Sequence, residues 1–284
     1  LLPIDFVEHK KNKMSRSSLI KHPKYASVIP HTASYSEEGG SFSHRQLPVW
    51  RIGQLSPRHT EIFADCNEAT GAAVAFSLAY DVMKIKAEES LTKRADRRKI
   101  LWVQEISAVR LNGRPYIYGL PRELRNRLIY VEAKSSRDAL FSLEEGLSCR
   151  DIGFVLGEIV GNPRVLDFTA SKRLSMVAEE YGIPLWLVRL NSSPDLSSAR
   201  MRWKVTSAPS DKPLWNSSAP GTPSWYAALF RARSHPTGEW RLSDDGVNLI
   251  ANRQPKQPEK DSKTISSKKD NVCLVRKFGS RSLA

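Results

Sequence analysis

Residues 128–188 read LIYVEAKSSRDALFSLEEGLSCRDIGFVLGEIVGNPRVLDFTASKRLSMVAEEYGIPLWLV, and this stretch decides the fold. It contains three compact apolar runs, Leu128 to Val131, Gly153 to Leu156 and Leu185 to Val188. Each is short and rich in β-branched or aromatic residues, as buried strands are. Helices with clear punctuation lie between them. Ser136 can cap a helix whose Leu140, Leu143 and Leu147 recur at spacings of three and four. A second helix carries Leu174, Val177, Ala178 and Tyr181 on one face and stops at Gly182, with Pro184 behind it. The alternation of strand and helix predicts a mostly parallel sheet with helices on both faces. Ligands of such sheets gather at the carboxyl ends of the strands.

Upstream, Glu61 to Ala64 (EIFA) and Ile100 to Val103 (ILWV) read as further strands, and Ala72 to Met83 as a buried helix. Downstream of Leu190, the segments Met201 to Ala208, Tyr226 to Arg233 and Glu239 to Leu242 read as short strands joined by Pro- and Ser-rich turns. They predict an antiparallel extension of the same sheet. The core therefore covers residues 46–252. Residues 1–45 form a basic arm that ends in the linker-like SYSEEGGSFS (Ser34 to Ser43). Residues 253–284 read as a disordered basic tail with one late apolar knot, Val272 to Val275.

The chain has 284 residues and a formal net charge of +14. That charge is unevenly spread: residues 1–58 carry +5, residues 59–252 carry +3 and residues 253–284 carry +6. Basic ends of this kind attract polyanions such as nucleic acid, or serve solubility alone. No apolar stretch approaches the roughly 20 residues needed to span a bilayer. Leu1 to Lys13 puts its apolar tip before its charge, the reverse of a secretory signal. Cys66, Cys149 and Cys273 are scattered, and the six histidines show no metal-ligand spacing. Neither a disulfide framework nor a structural zinc site is expected, and the cysteine pattern suits a reducing cytoplasm.

A strand that runs into a polar loop and then a helix is where a phosphate-binding loop would sit. Such a loop needs G-x-x-x-x-G-K-[ST]: glycines to wrap the phosphates, Lys to neutralise them and a hydroxyl to hold magnesium. The residues in register are Cys66 to Ala73, and of the required set only Gly71 is present. Asp65 and Glu68 add the wrong sign of charge. Glu105, just past ILWV, and Glu158, at the end of GFVL, are expected to approach one sheet edge. There they could activate water or hold a metal, although bonding to neighbouring backbone or an Arg is the favoured reading. No Ser/His/Asp or Cys/His constellation can be assembled, so the expectation is a protein without catalytic activity and without a bound cofactor.

Five segments in order, ILWVQ (Ile100 to Gln104), RDALFSLEEGL (Arg137 to Leu147), VLGEI (Val155 to Ile159), LDFTASKRL (Leu166 to Leu174) and RMRWKVTSAPS (Arg200 to Ser210), resemble the ImuA family. These are RecA-like accessory proteins of bacterial damage-induced mutagenesis, and the resemblance covers residues 46–245. It implies a RecA-like core and a role in the SOS response, in the cytoplasm and at the nucleoid during damage. It also implies an ImuB-type partner, an inactive relative of Y-family polymerases, and through it an error-prone polymerase, with RecA a further partner. Set against RecA, Glu105 falls on the water-activating glutamate and Glu158 on the magnesium-site aspartate. Arg189 and Leu190 fall on the pair that senses the γ-phosphate. The resemblance makes nucleotide binding doubtful, since the loop has lost its Lys and Thr.

Other readings stay open at this stage. Trp203 with Arg202 and Lys204 could stack a base or grip a phosphate of single-stranded DNA, or Trp203 could pack the core edge while both cations face water or a partner, which we favour. QLPVW (Gln46 to Trp50) resembles a clamp-binding peptide faintly and reads better as a first strand or a turn entering the core. KRADRRK (Lys93 to Lys99) is a solvated turn or a basic patch, and Val272 to Phe278 could dock on a partner. The alternatives to an adaptor are a single-stranded DNA binder acting through its basic arms and a residual ATPase.

Overall fold

The computed structural model describes residues 49–52, 58–89, 96–213, 215–216 and 218–255. The basic arm, the linker and the tail beyond residue 255, including Val272 to Phe278, lie outside the described residues, as do Gln46 to Pro48 and Lys93 to Ala95, while Arg253, read as the first residue of the tail, closes β9. Among the described residues nine strands form one sheet. They are β1 (His59–Ala64), β2 (Lys99–Glu105), β3 (Leu128–Ala133), β4 (Ile152–Val160), β5 (Leu185–Leu190), β6 (Met201–Ala208), β7 (Ser224–Ala232), β8 (Gly238–Asp244) and β9 (Leu249–Arg253). Their order across the sheet is β3-β2-β4-β5-β1-β6-β7-β8-β9. Four helices accompany them: α1 (Thr70–Glu89), α2 (Ile106–Asn112), α3 (Ser136–Leu147) and α4 (Phe168–Tyr181).

The expected α/β architecture is present. β6 joins the sheet parallel to β1 and opens the C-terminal antiparallel stretch, in which β6–β7, β7–β8 and β8–β9 all pair antiparallel. Residues 191–200 return the chain from the carboxyl end of β5 to the amino end of β1, where Met201 pairs with Thr60. A link of that length reaches roughly 33 Å when extended, more than the roughly 20 Å of a six-residue strand. β9 and α2 were not foreseen.

Strand alternation splits the core into two layers. Ile100, Trp102, Phe154, Leu156, Trp186 and Val188 pack toward α1. Leu101, Val103, Val155, Leu185 and Leu187 pack toward α3 and α4. The cap of α3 is Ser135, which accepts from the Asp138 amide, and not Ser136. Asp167 caps α4, and Gly182 ends it at φ 70°. Trp50 enters the first layer and meets the edges of Trp203 and Trp240, with ring centroids 4.8 and 5.3 Å away. This is the turn-into-core reading of QLPVW. No helix among the described residues is long and apolar enough to cross a membrane.

Candidate functional site

The loop between β1 and α1 carries the degenerate phosphate-loop pattern, and several of its polar groups bond within the chain. Asp65 accepts from the Asn67 amide at 2.8 Å. Asn191, at φ 48° just past β5, accepts from the Cys66 amide at 2.9 Å. Glu68 accepts from the Thr70 hydroxyl at 2.9 Å and from the Ser207 amide at 2.8 Å. The Ser207 amide and then the Thr70 hydroxyl hold the Glu68 carboxyl below its usual range, so it is an anion at neutral pH. The amino end of a helix attracts negative charge, and here the chain's own carboxylate stands beside it. Gly71 serves packing. A Cβ there would lie 2.7 Å from Val188 and 2.8 Å from Ala64, so only glycine lets α1 approach the sheet this closely.

Glu105 and Glu158 are not brought together. Gln104 and Glu158 are register partners and share the α1 face, so Glu105, the next residue along β2, belongs to the opposite face. Glu105 accepts from the Ser136 hydroxyl at 2.9 Å and the Val160 amide at 3.3 Å, which is the backbone-bonding role favoured above. Glu158 is buried and takes 2.7 and 3.0 Å hydrogen bonds from Trp102 Nε1 and Gln104 Nε2 on one oxygen. Its other oxygen lies near the Asn112 side-chain amide without a well-formed hydrogen bond to it. Burial pushes the Glu158 carboxyl up to about 7, against the opposing effect of these nearby donors. Among the described residues no group of three or more His, Cys, Asp or Glu side chains could hold a metal ion.

Arg189 and Arg202 converge on Glu61, a carboxylate fully buried in β1. Arg202 Nε donates to Glu61 at 2.7 Å, while Arg189 lies 3.8 Å away and donates to the Gly161 carbonyl. Ser197 completes the carboxylate's partners at 2.8 Å. The Arg202 guanidinium also lies 4.9 Å from the Phe63 ring centre and 5.6 Å from that of Phe230. This corrects the expectation that Arg202, like Lys204, faces water or a partner. Arg202 is buried beside its acid, Trp203 lies in the tryptophan cluster, and Lys204 alone is exposed. Arg189 therefore points beneath the sheet, and it is Asn191, two residues on, that reaches the loop. His59 is buried next to the cluster and bonded to Ser175 at 2.7 Å. Burial, reinforced by the two arginines and opposed by Glu61, lowers its pKa to about 4.

The reading of the sequence missed Glu61 as the centre of this cluster. The available signal was a charge within the apolar run of each strand, Glu61 in EIFA, Arg189 in LWLVRL and Arg202 in MRW, because a buried ion has to be paired. It also missed an aromatic groove beside α1, formed with the 115–125 segment and the β6–β7 connection. No family model matches the chain, and no curated protein is significantly similar to it.

Proposed function

We propose that the chain is a non-enzymatic accessory protein of damage-induced translesion DNA synthesis, an adaptor for an ImuB-type partner and for RecA. The reading rests on the five-segment resemblance, and the observation that carries it is the Glu68 tether. A loop that would cradle a triphosphate holds a carboxylate bonded to Thr70 and Ser207, with no Lys in register. The two carboxylates that hydrolysis would use lie on opposite faces of the sheet. A body of this form serves through its surfaces.

The test is co-expression with an ImuB-type protein, followed by affinity capture and measurement of the association at micromolar concentration. A stable complex, together with no detectable binding of a fluorescent ATP analogue, is expected. Failure of the two proteins to associate at micromolar concentration, or ATP hydrolysis that disappears in Glu105→Gln, would overturn the proposal.

A further inference from the structure

The groove beside α1 encloses about 1060 Å³. That is as large as sites that surround a small molecule, roughly 300–1,000 Å³. One wall is an aligned set of rings, with Phe76 parallel to Tyr80 and Trp102 at 5.9 and 6.1 Å between centroids. Three further aromatics stand at its mouth with most of their surface in water: Tyr116 at 74%, Tyr118 at 70% and Trp215 at 80%. Large exposed rings lose hydration free energy unless something covers them.

The charges lining the groove indicate what covers them. Arg122 and Lys212 stand on opposite walls, exposed and without an ion-pair partner among the described residues. Arg125 lies 5.8 Å from the Tyr118 ring centre and donates to two backbone carbonyls. The acids of the groove are engaged within the chain. Asp211 pairs with Arg241, Asp244 accepts from the Gly246 amide, and Asp245 from the Val247 and Asn248 amides. Asp244 and Asp245 keep their charge at the β8–β9 turn, whereas the two segments that carry the exposed rings present Arg122 and Lys212 beside them, with Asp211 paired to Arg241. The large exposed apolar groups of the groove are all aromatic, whereas a groove for an amphipathic helix is lined by aliphatic side chains and Met.

We infer that this groove is a binding site for single-stranded nucleic acid, with bases stacking on Tyr116, Tyr118 and Trp215 and phosphates passing Arg122 and Lys212. Stacking of bases on aromatic side chains beside a basic track is how strands are bound without sequence preference. The site is distinct from the basic arms, which can contribute phosphate contacts but offer no comparable stacking surface. It also does not depend on the adaptor role.

The test uses the full chain and a fluorescein-labelled twelve-residue oligo(dT), read by anisotropy. An abasic strand with the same phosphates serves as the control. Tyr116→Ala/Tyr118→Ala/Trp215→Ala is expected to weaken oligo(dT) binding by about tenfold or more and to leave abasic-strand binding unchanged. Arg122→Glu/Lys212→Glu should weaken both. A 2-aminopurine placed in the strand should be quenched by the wild type and not by the aromatic variant. Circular-dichroism melting establishes that each variant is folded, and association with the ImuB-type partner is expected to persist in both. Equal affinity of the wild type for oligo(dT) and the abasic strand would overturn the inference. So would competition by free dTMP as effective as that by the strand, or loss of partner association with oligo(dT) binding intact, which would make the groove a protein interface.

Discussion

Replacing Glu158 with Gln changes how stability depends on pH. The buried carboxyl is raised from its ordinary 4.5 to about 7. Between these values the folded protein holds a proton that the unfolded chain has released. The stability contributed by this group is therefore fully present below pH 4.5 and is lost as pH rises through 7. At about 1.4 kcal/mol per pH unit, the loss is about 3 kcal/mol. His59 works in the opposite direction. Its pKa is lowered from 6.5 to about 4, so the unfolded chain takes up a proton first, and stability is lost as pH falls from 6.5 to 4 by a similar amount. The two windows overlap, and the two groups lie on opposite faces of the sheet. Their contributions should add, leaving the wild type nearly flat across pH 5–7 with respect to these groups. In Glu158→Gln the amide oxygen still accepts from Trp102 and Gln104 but nothing ionises. Urea unfolding followed by tryptophan fluorescence should give a variant about 3 kcal/mol more stable than wild type at pH 8 and nearly equal to it at pH 4.5. Between pH 7 and 5 the variant should lose about 2 kcal/mol, because the effect of His59 is no longer masked. His59→Gln should show the mirror image and lose stability as pH rises. If Glu158→Gln and wild type keep a constant difference from pH 5 to 8, the assignment of these protons is wrong.

Gly71→Ala should destabilise by about 1–3 kcal/mol, since its methyl group would meet Val188 and Ala64 below 3 Å, and a melting curve checks it. Glu61→Gln leaves two buried arginines without their anion and should cost about 3–5 kcal/mol in urea unfolding. Trp203→Ala opens a cavity between Trp50 and Trp240 and should cost about 3–5 kcal/mol. Its exposed neighbour should respond differently: Lys204→Ala is expected to change stability by less than about 0.5 kcal/mol in the same assay.

β4 and β5 are legible in the sequence because central strands of a parallel sheet are buried on both faces, so their composition alone marks them. α3 and α4 are legible because their apolar spacing and, for α4, the Gly182 stop are local signals, while the cap of α3 falls one residue earlier than expected, at Ser135. The direction of β6 is not legible, since MRWKVTSA alternates in the same way whichever way its neighbour runs. Only the return path of residues 191–200 decides it. Burial of Arg202 is illegible for a related reason. Its partner lies 141 positions away on β1, and the register of two parallel strands makes the pair. Alternation does show that Arg202 and Trp203 point to opposite faces, so the buried tryptophan says nothing about the fate of its neighbour. The groove is harder still, because Tyr116, Tyr118 and Trp215 come from separate Pro-rich connections that only the fold brings together. Aromatics placed among prolines outside any strand or helix pattern were the available sign.

The acid in the phosphate-loop position is the place where sequence and structure inform each other most. By sign alone, Glu68 argues against a bound triphosphate, but a loop that had merely lost its lysine would leave the amino end of α1 open to any anion. The geometry adds a positive role. Glu68 joins Thr70, at the start of α1, to Ser207, near the far end of β6. Asn191, past the end of β5, holds the Cys66 amide from the other side. The loop is thereby fastened to the strands on both flanks of β1. Restoring a Lys and a Thr at positions 72 and 73 would therefore place them beside an anion already bonded to the fold, and removing that anion would release the tether to β6. The two fastenings hold the Glu68–Thr70 turn to β6 and the Cys66 amide to the end of β5, so the amino end of α1 is tied to the sheet from both sides.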